Sequence, residues 1–491
     1  MTLQLPDADR CYRAVESRDA RFDGWFIVGV TSTGIYCRPS CPTPIRPKRE
    51  NTRFFPTAAA AQRGGFRACK RCRPDAVPGS PEWDVRADLV GRAMRLIADG
   101  VVDREGVGGL ARRLAVSERH LHRLLNEVVG AGPIALARAQ RAQTARVLIE
   151  TTAMSFAEIA FASGFGSIRQ FNDTIREVFA QTPSQLRAAK KAPTNDPTTG
   201  PLTVRLAVRQ PFAADELIDF LVWHATPGVE ELDGDVYRRS LDLPGGTTVV
   251  ELRPAGDFVE CRLHLADLAD LTTAVTRCRR LLDLDADPGV VADTLSADPL
   301  LAPLVERRPG LRVPGAVDGF EHTIRTIVGQ QISVSGAATV LGRVTAAAGP
   351  ELADPVGGVT HRFPRPEELL ALGPDDLPMP KSRARAVRAV SQAVVDGLTI
   401  DVGADRDELR TRLLQLPGIG PWTVGSVAMR ALGDPDAFLA NDLVLRKAAV
   451  AVGLPDHPRA LDERSLVWSP FRAYATHHLW SHVLQPTEEA A

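Results

Sequence analysis

The 491-residue chain has no apolar run long enough to cross a bilayer, which excludes a helical membrane anchor and predicts a protein with no membrane partner. No export leader is expected. The opening MTLQLPDADR is acidic and lacks an apolar core, so the expected compartment is the reducing cytoplasm. Net charge is nearly absent at −1, but that sum conceals an asymmetry. Residues 1–191 hold 30 Lys and Arg against 19 Asp and Glu, whereas the remainder holds 29 against 41. The first part therefore reads as the electrostatic binder of a polyanion, and the second as one with a modest footprint. Cysteine is scarce, with seven in all. Cys11, Cys261 and Cys278 lack ligand spacing and read as packing residues.

The other four, Cys37, Cys41, Cys69 and Cys72, fall in one window as C-x3-C and C-x2-C separated by 27 residues. Each pair offers two thiolates from one tight turn to a tetrahedral ion, and one Zn²⁺ is the expected cofactor. Two disulfides would need an oxidising compartment, and four unrelated buried thiols would not need the spacing. From Arg38 to Arg73 there are ten cations (Arg38, Arg46, Lys48, Arg49, Arg53, Arg63, Arg67, Lys70, Arg71, Arg73) against one acid, Glu50. That density suits a phosphate-binding surface, the alternative being a solvated loop. Four thiolates on Zn²⁺ leave a charge near minus two, so one sulfur stays nucleophilic.

TGIYCRPSC followed by GFRACKRCRPD resembles the N-terminal domain of Ada-type proteins of the adaptive response to DNA alkylation. The resemblance implies that a zinc-held cysteine takes a methyl group from a DNA methyl phosphotriester, once per molecule. It implies Cys37 as that acceptor, with Arg38, Arg67 and Arg71 on DNA.

Residues 84–190 read as helical. Leu110 and Leu114, a break at Ala115 and Val116, a Ser117 cap, then Leu121, Leu124, Leu125 and Val128 form two short helices around a tight turn. Phe156, Ile159 and Ala160, Gly164, Ser167, then Phe171, Ile175, Val178 and Phe179 repeat the plan. Two helix-turn-helix units predict two successive major-groove contacts. The exposed candidates are Glu118, Arg119, His122 and Arg123, then Ser167, Arg169, Gln170 and Asn172. SGFGSIRQFNDTIREVFAQTPSQLR resembles the signature of AraC-type transcription regulators, which implies promoter DNA and RNA polymerase as partners.

TVRLAV, VYRRSL, TVVELRP and FVECRLHL read as strands, with a helix near Ala213–His224. Farther on, DELRTRLLQLPGIGPWTVGSVAMRAL reads as a helix, a turn from Leu416 to Gly420 and a second helix opening at Pro421. Gly418 and Gly420 let the backbone bend and turn N–H groups toward a phosphate. A bland connector would look the same. The segment resembles the helix-hairpin-helix of DNA base-excision glycosylases, with Leu416, Gly418 and Gly420 on the DNA backbone. By itself Asp442 in FLANDLVLRK could be a helix cap; its spacing after the hairpin resembles that of the superfamily's catalytic aspartate.

LRVPGAVDGFEHTIRTIVGQQISVSGA, the hairpin and SPFRAYATHHLW together resemble 3-methyladenine DNA glycosylase II of the AlkA type. That resemblance implies Trp480, Trp422 and Phe220 as pocket aromatics and Gln331 as the wedge that fills the gap left by a flipped base. Gln331 is polar where an apolar wedge is expected, and Ser426 replaces a pocket tyrosine. Family members that also cut the strand carry a lysine where Trp422 stands, so the implied enzyme is a monofunctional hydrolase. No C-x6-C-x2-C-x5-C cluster follows the helices, which argues against an iron–sulfur glycosylase, and the P-C-H-R signature of O6-methylguanine removal is missing.

The expected fold is multidomain, mainly α with α+β parts. A small zinc-binding α/β domain spans 1–78, the tandem helix-turn-helix 84–190 and a linker 191–201. An α+β subdomain covers 202–285, and an all-α helix-hairpin-helix glycosylase domain covers 286–491. The expected function is alkylation repair joined to its own regulation, on alkylated and promoter double-stranded DNA in the cytoplasm and at the nucleoid. The alternative is a regulator with structural zinc and a domain that recognises damage without excising it.

Overall fold

The computed structural model describes residues 7–43, 46–72, 74, 89–188, 200–373 and 376–484. The expected linker through residue 199, the Pro78–Pro81 stretch and Arg73 lie outside the described residues. The chain divides into two compact units, Met1–Val208 with Leu243–Thr248 and Ala255–Thr276, and Arg209–Asp242 with Val249–Pro254 and Arg277–Ala491.

The first unit opens with helix α1 (Ala8–Ser17) and a small sheet of β1 (Ile27–Val30), β2 (Ile35–Cys37), β3 (Thr52–Phe55) and β4 (Arg67–Ala68), ordered β3-β1-β2-β4. β1 pairs antiparallel with β2 and β3, while β2 runs parallel to β4. Cys11, Ala14 and Val15 of α1 pack on Phe26 and Val28, so Cys11 is core, as expected. Burial pushes its thiol up to about 12. Gly29 lies beneath two rings: a Cβ there would sit 2.8 Å from Phe55 and 2.9 Å from Phe66.

Helix α2 (Ala58–Arg63) leads on to the helical part: α3 (Leu89–Ala98), α4 (Val101–Arg113), α5 (Glu118–Val129), α6 (Pro133–Thr151), α7 (Phe156–Ala162), α8 (Ile168–Phe179) and α9 (Pro183–Ala188). Both expected turns occur, and both use the left-handed region, with Ala115 at φ 55° and Gly164 at φ 80°. Ser117 and Ser167 cap the helices that follow by accepting from His120 N and Gln170 N. Of the expected apolar face, Leu110, Leu114, Leu121 and Leu125 are buried in one core, whereas Leu124 and Val128 are only partly buried against it and Val129, not among the expected residues, is fully buried.

A five-stranded sheet follows, of β5 (Leu202–Ala207), β6 (Glu230–Asp233), β7 (Val236–Leu243), β8 (Gly246–Ala255) and β9 (Phe258–Leu263), ordered β5-β9-β8-β7-β6, with α10 (Ala214–Trp223) and α11 (Leu271–Leu281). The four expected strands and the helix are present. The acidic β6 (EELD) had no apolar alternation to announce it.

In the second unit the helices that matter to the site are α12 (Gly319–Val328), α13 (Lys381–Val395), α14 (Arg406–Leu414), α15 (Pro421–Ser426), α16 (Leu443–Ala451) and α17 (Arg472–Leu484). Ile324, Ile327 and Val328 of α12 pack on Val387, Val390 and Leu413. A two-stranded ribbon, Glu351–Val356 with Val359–His361, adds to the helices here; ELADPV carries charge and proline and gives no strand signal.

α12 is tied to β6 and β7 of the same unit by buried charges. Arg239, 2 % exposed, donates to Glu230 and to both oxygens of Glu321, each at 2.9 Å. Arg325 donates to the same two carboxylates and the Tyr237 hydroxyl to Glu230. Burial alone would raise the Glu230 carboxyl, but Arg325 and Arg239 outweigh it and hold it at about 2.

Candidate active sites

The parallel pairing of β2 with β4 builds the metal centre. Tyr36 lies opposite Ala68, so the next residues, Cys37 and Cys69, emerge side by side, with Cys69 N donating to Tyr36 O at 2.9 Å. Each strand end then turns back within a few residues. Cys41 N donates to Arg38 O at 3.2 Å, which returns the second sulfur of that pair. All four sulfurs lie within 4.8 Å of one another. A tetrahedral zinc with bonds of about 2.3 Å needs sulfurs roughly 3.8 Å apart, so the set fits. Cys37 and Cys69 are half-exposed, and Cys41 and Cys72 are buried.

One residue of this centre carried no sequence signal. Asp23, 5 % exposed, accepts from Ser40 N at 3.0 Å and from Ser40 Oγ, and pairs with Arg38 at 3.3 Å. It therefore braces the three residues between Cys37 and Cys41. Arg38 joins this brace through one nitrogen, with its side chain 32 % exposed. Arg67 is half-exposed and Arg71 exposed, as a phosphate contact requires.

The proposed readers of the helix-turn-helix units are exposed: Arg119 and Arg123 on α5, Arg169 and Gln170 on α8. The Arg169 side chain is 93 % exposed with only a 3.9 Å approach to Asp173. Gln170 has a local task as well, accepting from Gly166 N at 3.3 Å.

In the second unit, α14 and α15 flank the glycine turn. Gly418 sits at φ 76°, and a Cβ there would lie 2.8 Å from Ala386 Cβ, so both conformation and space exclude a side chain. Pro421 opens α15, which continues into a π-helical turn, Val427–Ala431. Trp422 is thereby aimed at Asp442: its Nε1 donates to Oδ2 at 2.9 Å. Trp480 Nε1, from α17, donates to Oδ1 at 3.0 Å, and Leu445 N donates to the same oxygen at 2.7 Å. Asp442 is thus both the cap of α16 and a carboxylate oriented by three donors at a helix N-terminus. The cap and the catalytic candidate are one residue.

Aromatic rings lead away from that carboxylate. Trp480 meets His477 edge-on at 5.0 Å, and His477 meets Phe220 at 5.4 Å. Arg430 stacks over Phe220 at 5.0 Å. Phe220, His477 and Trp480 therefore form one aromatic run that ends at Asp442, and Trp422 meets the other oxygen of that carboxylate. Where a tyrosine was expected, Ser426 Oγ lies 3.1 Å from His322 Nε2, and Thr326 Oγ1 also reaches that nitrogen at 3.3 Å. Burial and then Arg430 push His322 well below its usual range, so the ring is neutral.

Gln331 is exposed and stands at φ 56°. A non-glycine residue held there costs energy, which native structure retains mainly where the side chain has a task. Its neighbour Gln330, absent from the sequence reading, ties this loop to the hairpin by donating to Gly418 O at 3.1 Å and Thr423 Oγ1 at 3.0 Å. On α13, Arg383 donates to Gln330 O and Arg388 to Leu370 O and Leu372 O, so these two cations brace neighbouring segments. Arg385 is exposed.

Residues 10–75 match the family described as the metal binding domain of Ada, residues 110–189 a helix-turn-helix domain and residues 203–318 the AlkA N-terminal domain. The first match spans all four sulfurs, and the bound metal is zinc. The chain is 54 % identical over 487 residues, 98 % of each chain, to a Mycobacterium tuberculosis (strain H37Rv) protein named probable bifunctional transcriptional activator/DNA repair enzyme AlkA. It is 33 % identical to DNA-3-methyladenine glycosylase 2 of Escherichia coli (strain K12), across 55 % of this chain and 94 % of that one. A solved 3-methyladenine DNA-glycosylase from Archaeoglobus fulgidus has the same fold, with a TM-score of 0.51 and 20 % identity over 57 % of this chain and 97 % of that chain. Among the described residues no helix is long and apolar enough to cross a membrane.

Proposed function

The chain belongs to the family of bifunctional transcriptional activator/DNA repair enzymes of the AlkA type, and from that premise we propose that it repairs alkylated DNA by two chemistries and regulates its own response. The observation that carries the excision half is the Asp442 carboxylate, fixed by two indole N–H groups and one backbone N–H at the end of an aromatic run.

An alkylated purine such as 3-methyladenine is cationic, so it stacks on electron-rich indole faces once flipped out of the duplex at a cost of a few kcal/mol. The bond from C1′ to the base nitrogen breaks, and its electron pair leaves with the base, which becomes neutral. Asp442 stabilises the cationic sugar that remains and orients the attacking water, whose proton passes to that carboxylate as the new C–O bond forms. Gly418 and Gly420 hold the DNA backbone, and Gln331 fills the vacated space.

In the first unit, bound zinc supplies positive charge that keeps the four sulfurs deprotonated at neutral pH. Cys37 Sγ, at the strand end, attacks the methyl carbon of a phosphotriester. An S–C bond forms as the C–O bond breaks, and the phosphate leaves as an ordinary diester anion. The cysteine is then a thioether and does not turn over. One unit of negative charge has gone from a surface that faces a polyanion, so promoter DNA binds more tightly to the methylated protein. Arg119, Arg123, Arg169 and Gln170 read that promoter, and RNA polymerase is the partner activation requires.

Incubating the protein with methylated duplex and measuring both free base released and mass gained at Cys37 tests both halves. Tight binding with neither product would leave a regulator that recognises damage without repairing it.

A further inference from the structure

We propose that His477 reads the flipped base, its Nε2 accepting a hydrogen bond from an N–H on the edge of an alkylated purine; this rests on the glycosylase reading above. His477 lies three residues before Trp480 on α17, so the two rings share one helix face. It stands edge-on between two proposed pocket aromatics, at 5.4 Å from Phe220 and 5.0 Å from Trp480. The residue is 4 % exposed, and its Nε2 is buried without a hydrogen-bond partner among the described residues.

A buried polar atom left unpaired is destabilising, and native proteins rarely keep one without a task. His322, by contrast, spends its Nε2 on Ser426, and the ring of His478, which also has an unpaired nitrogen, bonds the Leu304 backbone. The charge state suits an acceptor. Burial, then Arg430, His478 and His224, push His477 well below its usual range, so the ring stays neutral and does not repel a cationic base. Alkylation makes the purine N–H groups stronger donors, which favours the damaged base over its normal counterpart.

The test uses the full-length protein, wild type, His477→Leu and His477→Gln. One duplex carries 7-methylguanine on a 2′-fluoro sugar, which resists hydrolysis, another a tetrahydrofuran abasic analogue, and a third is undamaged. Wild type should prefer the 7-methylguanine duplex to the undamaged one. His477→Leu should lose about tenfold of that preference, the scale of one hydrogen bond to a charged partner. Its affinity for the abasic analogue should not change, and His477→Gln, which restores an acceptor at similar reach, should recover most of the loss. Unchanged preference in His477→Leu overturns the proposal, as does an equal loss on the abasic analogue, which would make the residue structural. A wild type that shows the preference yet releases no base from an ordinary 7-methylguanine duplex sinks the glycosylase reading and leaves the base contact standing.

Discussion

Trp422 and Asp442 stand 20 residues apart in the chain and 2.9 Å apart in space, indole Nε1 to carboxylate Oδ2. The family resemblance gave each a separate role, one at the pocket and one in catalysis. Their contact makes the tryptophan a positioning residue for the carboxylate as well.

Asp442→Asn should keep DNA binding and lose base release by about 10²–10³-fold, the cost of removing one preorganised electrostatic contact. The amide also fits the site poorly, because its NH₂ must face one of the N–H donors that now point at a carboxylate. Single-turnover excision of 3-methyladenine is the measurement, and an undiminished rate would move catalysis elsewhere.

Trp422→Phe keeps an aromatic face and removes the donor. One charge-assisted hydrogen bond of about 1.5–3 kcal/mol should slow single-turnover excision roughly tenfold or more. Affinity for an abasic-site duplex should change little. A variant that loses both equally would show that the indole acts through packing.

The product should be an intact abasic site. Trp422 offers no amine for a Schiff base, and Lys447 is exposed on α16. Borohydride should trap no covalent protein–DNA adduct. An adduct that forms with wild type and vanishes in Lys447→Ala would show strand-cutting chemistry.

Zinc removal by a chelator should unfold the segment matched to the metal domain, since zinc binding of about 10–16 kcal/mol in small modules is effectively folding energy. With zinc present, Cys37→Ser should gain no methyl, and peptide mapping that finds the methyl on Cys41, Cys69 or Cys72 would reassign the acceptor. Removing one unit of repulsion at ~5–8 Å and an effective dielectric of about 20–40 should strengthen promoter binding by on the order of 1–3 kcal/mol before screening. Titrations of methylated and unmethylated protein at several salt concentrations read that difference directly.

Arg239→Met should destabilise the second unit by about 3–5 kcal/mol, because Glu230 and Glu321 lose the guanidinium buried between them. Chemical denaturation measures it. Arg325 still pairs with both carboxylates, so a loss well under 1 kcal/mol would mean that it suffices alone.

The sequence by itself determined everything that depends on spacing within a short stretch. C-x3-C and C-x2-C announced a four-thiolate site, the serine caps and apolar periods announced paired helices, and LPGIGP announced a hairpin, because each is a local rule of backbone geometry. The tertiary structure decided what depends on partners far apart in the chain. It set Cys37 beside Cys69 through a parallel strand pair, turned Arg38 onto Asp23, and spent Arg383 on the Gln330 carbonyl. It aimed two indoles at Asp442 and left His477 Nε2 unpaired among rings. No periodicity encodes such pairings. A hydrogen bond needs its partners within about 3 Å, and only packing of the whole domain brings side chains from distant segments that close.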